Sequence, residues 1–373
     1  MRIRFIAGLL AALLFTGCSG RAQDLQAQLD EIFKDYRGEV PGASVLIMQE
    51  GLPVVRRNYG LADLERKVKA TAITNYRLAS MTKQFTAAAI LLLMEQGKLT
   101  LDDPLRHWLP SLPEATQPIT LRHLLTHTSG LIDYEDVIPE GTTRQVHDAD
   151  VLRLLETQNR LNFAPGTAYR YSNSGYSLLS LVVARASGQD FATFLRDRIF
   201  QPLRMSRSVA YEDGVSTVAM RAYGYSFLNG VWKRTDQSLT SAVLGDGGIY
   251  SSVDDLARWD KAITEGQLLK PATWKLAFTP ATQTDDPAVK YGFGWRITGE
   301  SRWHSGETMG FRNVIVRFPA QRLTVVVLTN RDEPEPYVLA LKVAKLYYPD
   351  ADRVHATPSV SGPDADAKPL PKP

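Results

Sequence analysis

Ser80-Met81-Thr82-Lys83 sets a hydroxyl and an amine three residues apart at the head of an apolar run. On a helix that spacing puts both on one face. A serine hydroxyl becomes a useful nucleophile when a base takes its proton. Lysine becomes that base when burial or the positive end of a helix dipole lowers its pKa. The run that follows, Gln84 to Gln96, is built mostly of strong helix formers, and Gly97 supplies the stop. Taken alone the motif is weak, because about one Ser-x-x-Lys arises by chance in a chain this long. An N-cap serine followed by a surface lysine would read the same.

Three further stretches add chemistry. Tyr171-Ser172-Asn173 follows the turn Pro165-Gly166 and precedes a helix. His304-Ser305-Gly306 stands just before a pair of strands. Leu121 to Leu131 carries His123 and His127 in a Thr-His-Thr-Ser-Gly context. Two histidines at i and i+4 can bind zinc, but no glutamate base lies between them, and no metal is expected. Gly-x-Ser-x-Gly does not occur, so an α/β-hydrolase nucleophile elbow is excluded.

The elements that must position these residues follow from periodicity. Asp24 to Tyr36 has helical spacing, with Leu25, Leu29, Ile32 and Phe33 on one face. Ala43 to Met48 and a strand starting at Val54 read as a hairpin around Glu50-Gly51. From Lys98 to Gly188 helices and loops dominate. Helices are predicted over Leu121 to Thr126, Asp148 to Thr157, Ser174 to Ser187 and Phe191 to Phe200. Gly214 to Lys233 is turn-rich and gives no clear period. Val253 to Thr264 reads as a helix. Gly294 to Ile297, Phe311 to Phe318 and Leu323 to Leu328 then read as strands, and Pro336 to Tyr348 as a last helix. Strands at both ends of the chain imply one sheet with an insert packed beside it, and a cleft between the lobes.

Composition is that of a globular chain, with 44% hydrophobic and 22% charged residues among 373. Met1-Arg2-Ile3-Arg4 is a basic leader head, and Phe5 to Phe15 is an apolar stretch too short to span a bilayer. Phe15-Thr16-Gly17-Cys18 resembles a bacterial lipoprotein cleavage box, which implies lipidation at Cys18 and a leader of residues 1–18. The alternative is a plain secretory signal cut nearby. Ser19 suits an outer-membrane destination, so a periplasmic, lipid-anchored protein is expected. Cys18 is the sole cysteine, which excludes an intrachain disulfide and a thiolate metal site. No Lys/Arg block stands out, so nucleic acid is not an expected partner. Pro349 to Pro373 is rich in Pro, Asp and Ala and is expected to be disordered.

Together the motifs resemble the serine β-lactamase-related hydrolases. That group includes class C β-lactamases, low-molecular-weight penicillin-binding proteins, D-aminopeptidases and type VIII esterases. Beyond Ser80 to Lys83 and Tyr171 to Asn173, the matching text includes Gly97 to Pro104, Tyr176 to Leu179, Gly247 to Leu256 and Gly310-Phe311. The resemblance covers residues 24–348. It implies a mixed α/β (α+β) fold of the β-lactamase/transpeptidase type: an antiparallel sheet flanked by helices, from about 24–97 and 290–348, with an all-helical lobe between. It implies that Ser80 is acylated, with Lys83 and Tyr171 sharing the proton work. A phenol with a pKa of about 10 and a lysine beside it would titrate as a pair. Asn173 would accept from the lysine and donate towards the substrate. The oxyanion would take the backbone N–H groups of Ser80 and Glu307, with His304, Ser305 and Gly306 along the substrate. No cofactor is implied.

His304 departs from the pattern. β-Lactamases and many penicillin-binding proteins carry lysine there, whose fixed charge faces a substrate carboxylate. Histidine is mostly neutral at pH 7. The reading tilts towards esters or D-amino-acid peptides and away from lactams, with Arg312 a candidate replacement for the charge. No Glu-x-x-Leu-Asn segment is present to supply a separate deacylating base. The rivals are a penicillin-binding DD-carboxypeptidase, endopeptidase or β-lactamase, and a non-catalytic binding or sensing module. Oligomeric state is not legible.

Overall fold

A computed structural model describes residues 24–351. The leader, Cys18 and most of the proline-rich tail lie outside them. The main sheet has eight antiparallel strands: β1 (Ala43–Gln49), β2 (Leu52–Tyr59), β3 (Thr282–Gln283), β4 (Val289–Tyr291), β5 (Arg296–Thr298), β6 (Ser301–Thr308), β7 (Phe311–Phe318) and β8 (Leu323–Thr329). Their spatial order is β3-β4-β5-β6-β7-β8-β1-β2. The first strand of the chain therefore lies against the last, with Ala43 opposite Thr329 and Gln49 opposite Leu323.

Burial explains the strand sequences. β1 and β8 are apolar almost throughout because both their faces are covered. Leu46, Met48, Val326 and Leu328 join one core cluster. Val45, Ile47, Val325 and Val327 join the other. That second cluster also holds Leu29 and Phe33, at the end of helix α1 (24–32), and Leu339, Ala340 and Val343 of helix α6 (Pro336–Lys345). β2 alternates exposed and half-buried residues, as an edge strand does.

The other face carries helices α2 (Lys83–Glu95) and α5 (Val253–Thr264) and the insert. α2 buries eleven of its thirteen residues, so its apolar run is that of a helix covered all round. Phe85 packs on Trp259 of α5 and on Phe200 of the insert. Two longer helices of the insert are α3 (Asp148–Glu156) and α4 (Asn173–Ser187), the latter closed by Gly188 at φ 75°.

Several expectations need adjustment. The insert is not all-helical. It contains the short strands Val209–Ala210 and Ile249–Ser251, which pair with each other, and a hairpin, Tyr225–Leu228 with Val231–Arg234. The hairpin turns on Asn229-Gly230, both left-handed, and lies in the turn-rich stretch without a clear period. The helix from Phe191 is α-helical to Leu195 and π-helical over Arg196–Phe200. His304-Ser305-Gly306 lies inside strand β6 rather than before the strands.

Candidate active site

Ser80 sits in a 3-10 turn, Ala79–Thr82, that runs directly into α2 at Lys83. The turn is set from both sides. Ala79 adopts φ 49°, a left-handed backbone uncommon outside glycine. Strand β6 runs against it so closely that a Cβ on Gly306 would lie 1.9 Å from the Leu78 carbonyl oxygen. A residue with a side chain there would push the strand off the nucleophile.

Lys83 is fully buried. Its Nζ donates to Ser80 Oγ (2.9 Å), Asn173 Oδ1 (2.8 Å) and the Asp246 carbonyl oxygen (3.1 Å). An ammonium has three protons, and each has an acceptor here. Asn173 is the first residue of α4. Its backbone N–H donates to Asp133 Oδ2 (2.8 Å) and its Nδ2 to Glu135 Oε1 (3.2 Å). One of the two Nδ2 protons is thus directed at Glu135, and Asn173 lines the cleft over Ser80. Tyr171 lies with its ring centroid 4.8 Å from Lys83 Nζ and 5.3 Å from the Arg296 guanidinium carbon. The structure therefore brings Ser80 and Lys83, at the head of α2, together with Tyr171 and Asn173 of the insert.

The cleft over Ser80 is lined by Arg77, Tyr134, Glu135, Asn173, Asp246 and Glu307, among others. Larger hollows lie elsewhere. One of about 410 Å³ lies near Trp274 and Arg317, and another of about 670 Å³ near Phe200 and Met205. Neither contains Ser80 or Lys83, whereas the small cleft is lined by Ser80 and Asn173.

His304 behaves differently from the expectation of a substrate contact. It is 1% exposed. Nδ1 lies 2.6 Å from the Ser305 carbonyl oxygen, so it carries the proton, and Nε2 accepts from Tyr291 Oη at 2.9 Å. Burial pushes its pKa well below the usual histidine value, helped by Arg296 and Lys83. Both nitrogens are used internally, which leaves neither charge nor hydrogen bond for substrate. Ser305 is buried beside it, and Gly306 serves the close approach described above. Arg312 does not replace the missing charge. Its Nη1 donates to the carbonyls of Thr308 and Phe311, and its guanidinium pairs with Glu307 at 3.6 Å.

Sequence reading missed several residues that shape this site. Asp148 is a buried carboxylate that accepts from the N–H groups of Leu244 and Gly245 and from the hydroxyls of Ser177 and Ser180. It thereby ties α4 to the turn that presents the Asp246 carbonyl to Lys83. Tyr134 donates to Asp246 Oδ2 at 3.1 Å, and burial raises the Asp246 pKa well above the carboxylate range despite Lys83. Arg77 is 3% exposed. Its Nη2 donates to the Ser241 carbonyl, while Nε and Nη1 meet no protein acceptor. None of these stands at a diagnostic spacing from Ser80. The two histidines of the Leu121–Leu131 segment do not face one another. His123 Nδ1 accepts from Thr120 N–H, and His127 Nδ1 from Ser172 N–H. Among the described residues no group of three or more His, Cys, Asp or Glu gathers to hold a metal.

The beta-lactamase family model matches residues 26–348. The chain belongs to the beta-lactamase family. This family member is 30% identical over 317 residues to a penicillin-binding protein of Bacillus subtilis (strain 168), covering 80% of this chain and 70% of that one. It is 29% identical over 310 residues to a D-aminopeptidase of Gluconobacter oxydans (strain 621H), covering 78% of this chain but only 56% of that protein. Its fold matches that of an octameric penicillin-binding protein homologue from Pyrococcus abyssi with a TM-score of 0.76 and 26% identity, over 87% of this chain and 77% of the other. The β-lactamase-type fold and membership of a hydrolase family are thus both established.

Proposed function

We propose that this beta-lactamase-family protein is a serine hydrolase that forms an acyl-enzyme on Ser80 and cleaves esters or amides of D-amino-acid peptides. The observation that carries the reading is the bond from Lys83 Nζ to Ser80 Oγ, with Asn173 fixing the lysine and the Tyr171 ring beside it. Ser80 Oγ attacks the carbonyl as its proton passes to the Lys83–Tyr171 pair. The tetrahedral oxyanion takes the N–H groups of Ser80 and Glu307. The leaving group departs with a proton from Tyr171, and water repeats the sequence to free the acid. The preference against lactams rests on the neutral, internally bonded His304 and on Arg312 being paired with Glu307.

A second reading, a penicillin-binding DD-carboxypeptidase, is favoured by one observation. Arg77 is among the residues that line the cleft, and its guanidinium is a charge suited to a peptide carboxylate. The test is intact mass after brief exposure to benzylpenicillin and, separately, to p-nitrophenyl butyrate. The reading expects fast ester turnover with little penicillin adduct, both lost in Ser80→Ala. A persistent penicillin adduct would favour the second reading. Unchanged ester turnover in Ser80→Ala would sink both.

We also infer from the leader that the mature protein is exported and lipid-anchored through Cys18. Expressed with its leader in a Gram-negative host, it is expected in the membrane fraction, and Cys18→Ala in the soluble one. A native protein found wholly soluble would refute the anchor.

A further inference from the structure

His127 is a buried residue that the proposed chemistry does not use, and it touches the Tyr171 segment at three points. Its carbonyl oxygen accepts from Arg170 N–H at 2.9 Å. Its Nδ1 accepts from Ser172 N–H at 3.1 Å. Its ring stacks on the Tyr171 ring, with centroids 4.3 Å apart and planes 30° from parallel. The residues on either side of Tyr171 and Tyr171 itself are therefore all held by one side chain and its own peptide. His127 can do this because its backbone is left-handed, at φ 57°, which is uncommon for a residue other than glycine.

The segment needs such a hold. From Gln158 to Ser172 the chain forms no helix or strand, so no sheet or helix bond fixes Tyr171 before α4 begins at Asn173. The rings around His127 are themselves anchored. Tyr176 lies 5.1 Å away and donates to the Leu125 carbonyl, and Tyr291 lies 4.7 Å away and donates to His304.

The imidazole is also an unexpected choice for a packing role. With Nδ1 accepting, the proton of the neutral ring is on Nε2, and Nε2 is buried with no acceptor. Leaving a buried donor unmet is unfavourable. A phenylalanine would stack as well and bring no unmet donor of its own. What phenylalanine cannot do is accept from Ser172. Burial together with Lys83, Arg296 and His304 keeps the ring neutral, so Nδ1 stays available as an acceptor.

We propose that His127 is the positioning residue for Tyr171, holding its phenol at Lys83 chiefly through the Ser172 hydrogen bond, with the ring stack as a lesser support. The inference rests on the reading of Tyr171 as the proton carrier for Ser80.

The test compares kcat and KM for p-nitrophenyl butyrate in native protein, His127→Asn, His127→Phe and Tyr171→Phe. Asparagine tolerates the left-handed backbone and places an acceptor near the Nδ1 position. His127→Phe keeps the ring and loses the acceptor. The expected result is a kcat lower by about 10- to 100-fold in His127→Phe with KM within about 2-fold, and recovery of most of that loss in His127→Asn. Equal losses in both variants, or a full kcat in His127→Phe, would overturn the proposal.

If His127→Phe does not fold, the native protein still decides. Labelled with ¹⁵N-histidine, it should show His127 protonated on Nε2 with Nδ1 as a bonded acceptor, the resonance being assigned by its loss in His127→Asn. A proton on Nδ1 would overturn the proposal. Native turnover in Tyr171→Phe would instead strike at the proton-carrier reading, whatever the His127 variants do.

Discussion

At the residue scale, the two buried histidines make acid sensitivity a consequence of the site. His304 and His127 are both held well below the ordinary histidine pKa, first by burial and then by the Lys83 and Arg296 charges. Unfolded, each would protonate near pH 6.5. Below that value the unfolded chain binds more protons than the folded one, so stability falls as pH falls. The contribution is complete above about pH 6.5 and drains towards the depressed folded values, at about 1.4 kcal/mol per pH unit for each histidine. Asp133, which is half-buried, and the buried Asp148 and Asp246 have raised pKa values and act with the opposite sign. A comparison with a variant cancels them. His304→Gln is therefore expected to be less stable than native at pH 7.5 and to show a shallower loss between pH 6.5 and 5, by urea unfolding. Parallel curves would refute a neutral His304. The same scale explains what was legible in sequence. Ser80 and Lys83 are three residues apart, and local spacing reads directly as geometry. The Tyr291–His304 and His127–Ser172 bonds join residues 13 and 45 positions apart, and no periodicity carries such pairings.

At the scale of elements, the nucleophile depends on two backbones meeting. Gly306 lets β6 lie on the turn that carries Ser80, and a Cβ there would come 1.9 Å from Leu78 O and 3.0 Å from Met81 N. Both neighbours are backbone, so neither can rotate away. Overpacking of this kind costs about 1–3 kcal/mol in stability. The forced shift falls on Ser80 and on the Glu307 N–H, so activity should suffer more than folding. Gly306→Ala is expected to lower Tm by a few degrees, about what that cost implies for a chain of this size. It should lower ester turnover by about 100-fold or more. A variant with full turnover would show that β6 does not help form the site. Strands β1, β2, β7 and β8 and the longer helices were readable because they are long or carry clear apolar patterns, whereas β3 and β4, of two and three residues, were not. The position of His304 inside β6 was not, because Ser301–Thr308 mixes polar and apolar residues without alternation. Its near-complete burial comes from neighbours on both faces that the local sequence does not name.

At the scale of the whole molecule, the two lobes share one core. The cluster that contains Leu46, Met48 and Val326 of the sheet also contains Leu124 and Leu125 before the Thr-His-Thr-Ser-Gly turn, Leu178 and Val182 of α4, and Trp259 of α5. α2 runs through it, with sheet residues on one side and the insert on the other. The sheet is closed by strands from the two ends of the chain, so the insert interrupts a structure that is incomplete without both flanks. Parting the lobes would expose α2 on most of its surface and leave the buried Lys83 without its Asn173 partner. Exposing that apolar surface to water is unfavourable in proportion to its area. Chains of this length often unfold through intermediates, but here an intermediate with one lobe melted has no intact core to rest on. Loss of far-UV dichroism, loss of tryptophan fluorescence and loss of ester turnover should therefore superimpose in urea. Trp259 and Trp274 report the α5 side, Trp295 and Trp303 the sheet side, and Asn173 and Tyr171 bring the insert into the activity signal. Turnover lost well before either optical signal would mean that the insert moves away as a separate unit, and that the cleft is a hinge rather than part of one continuous core.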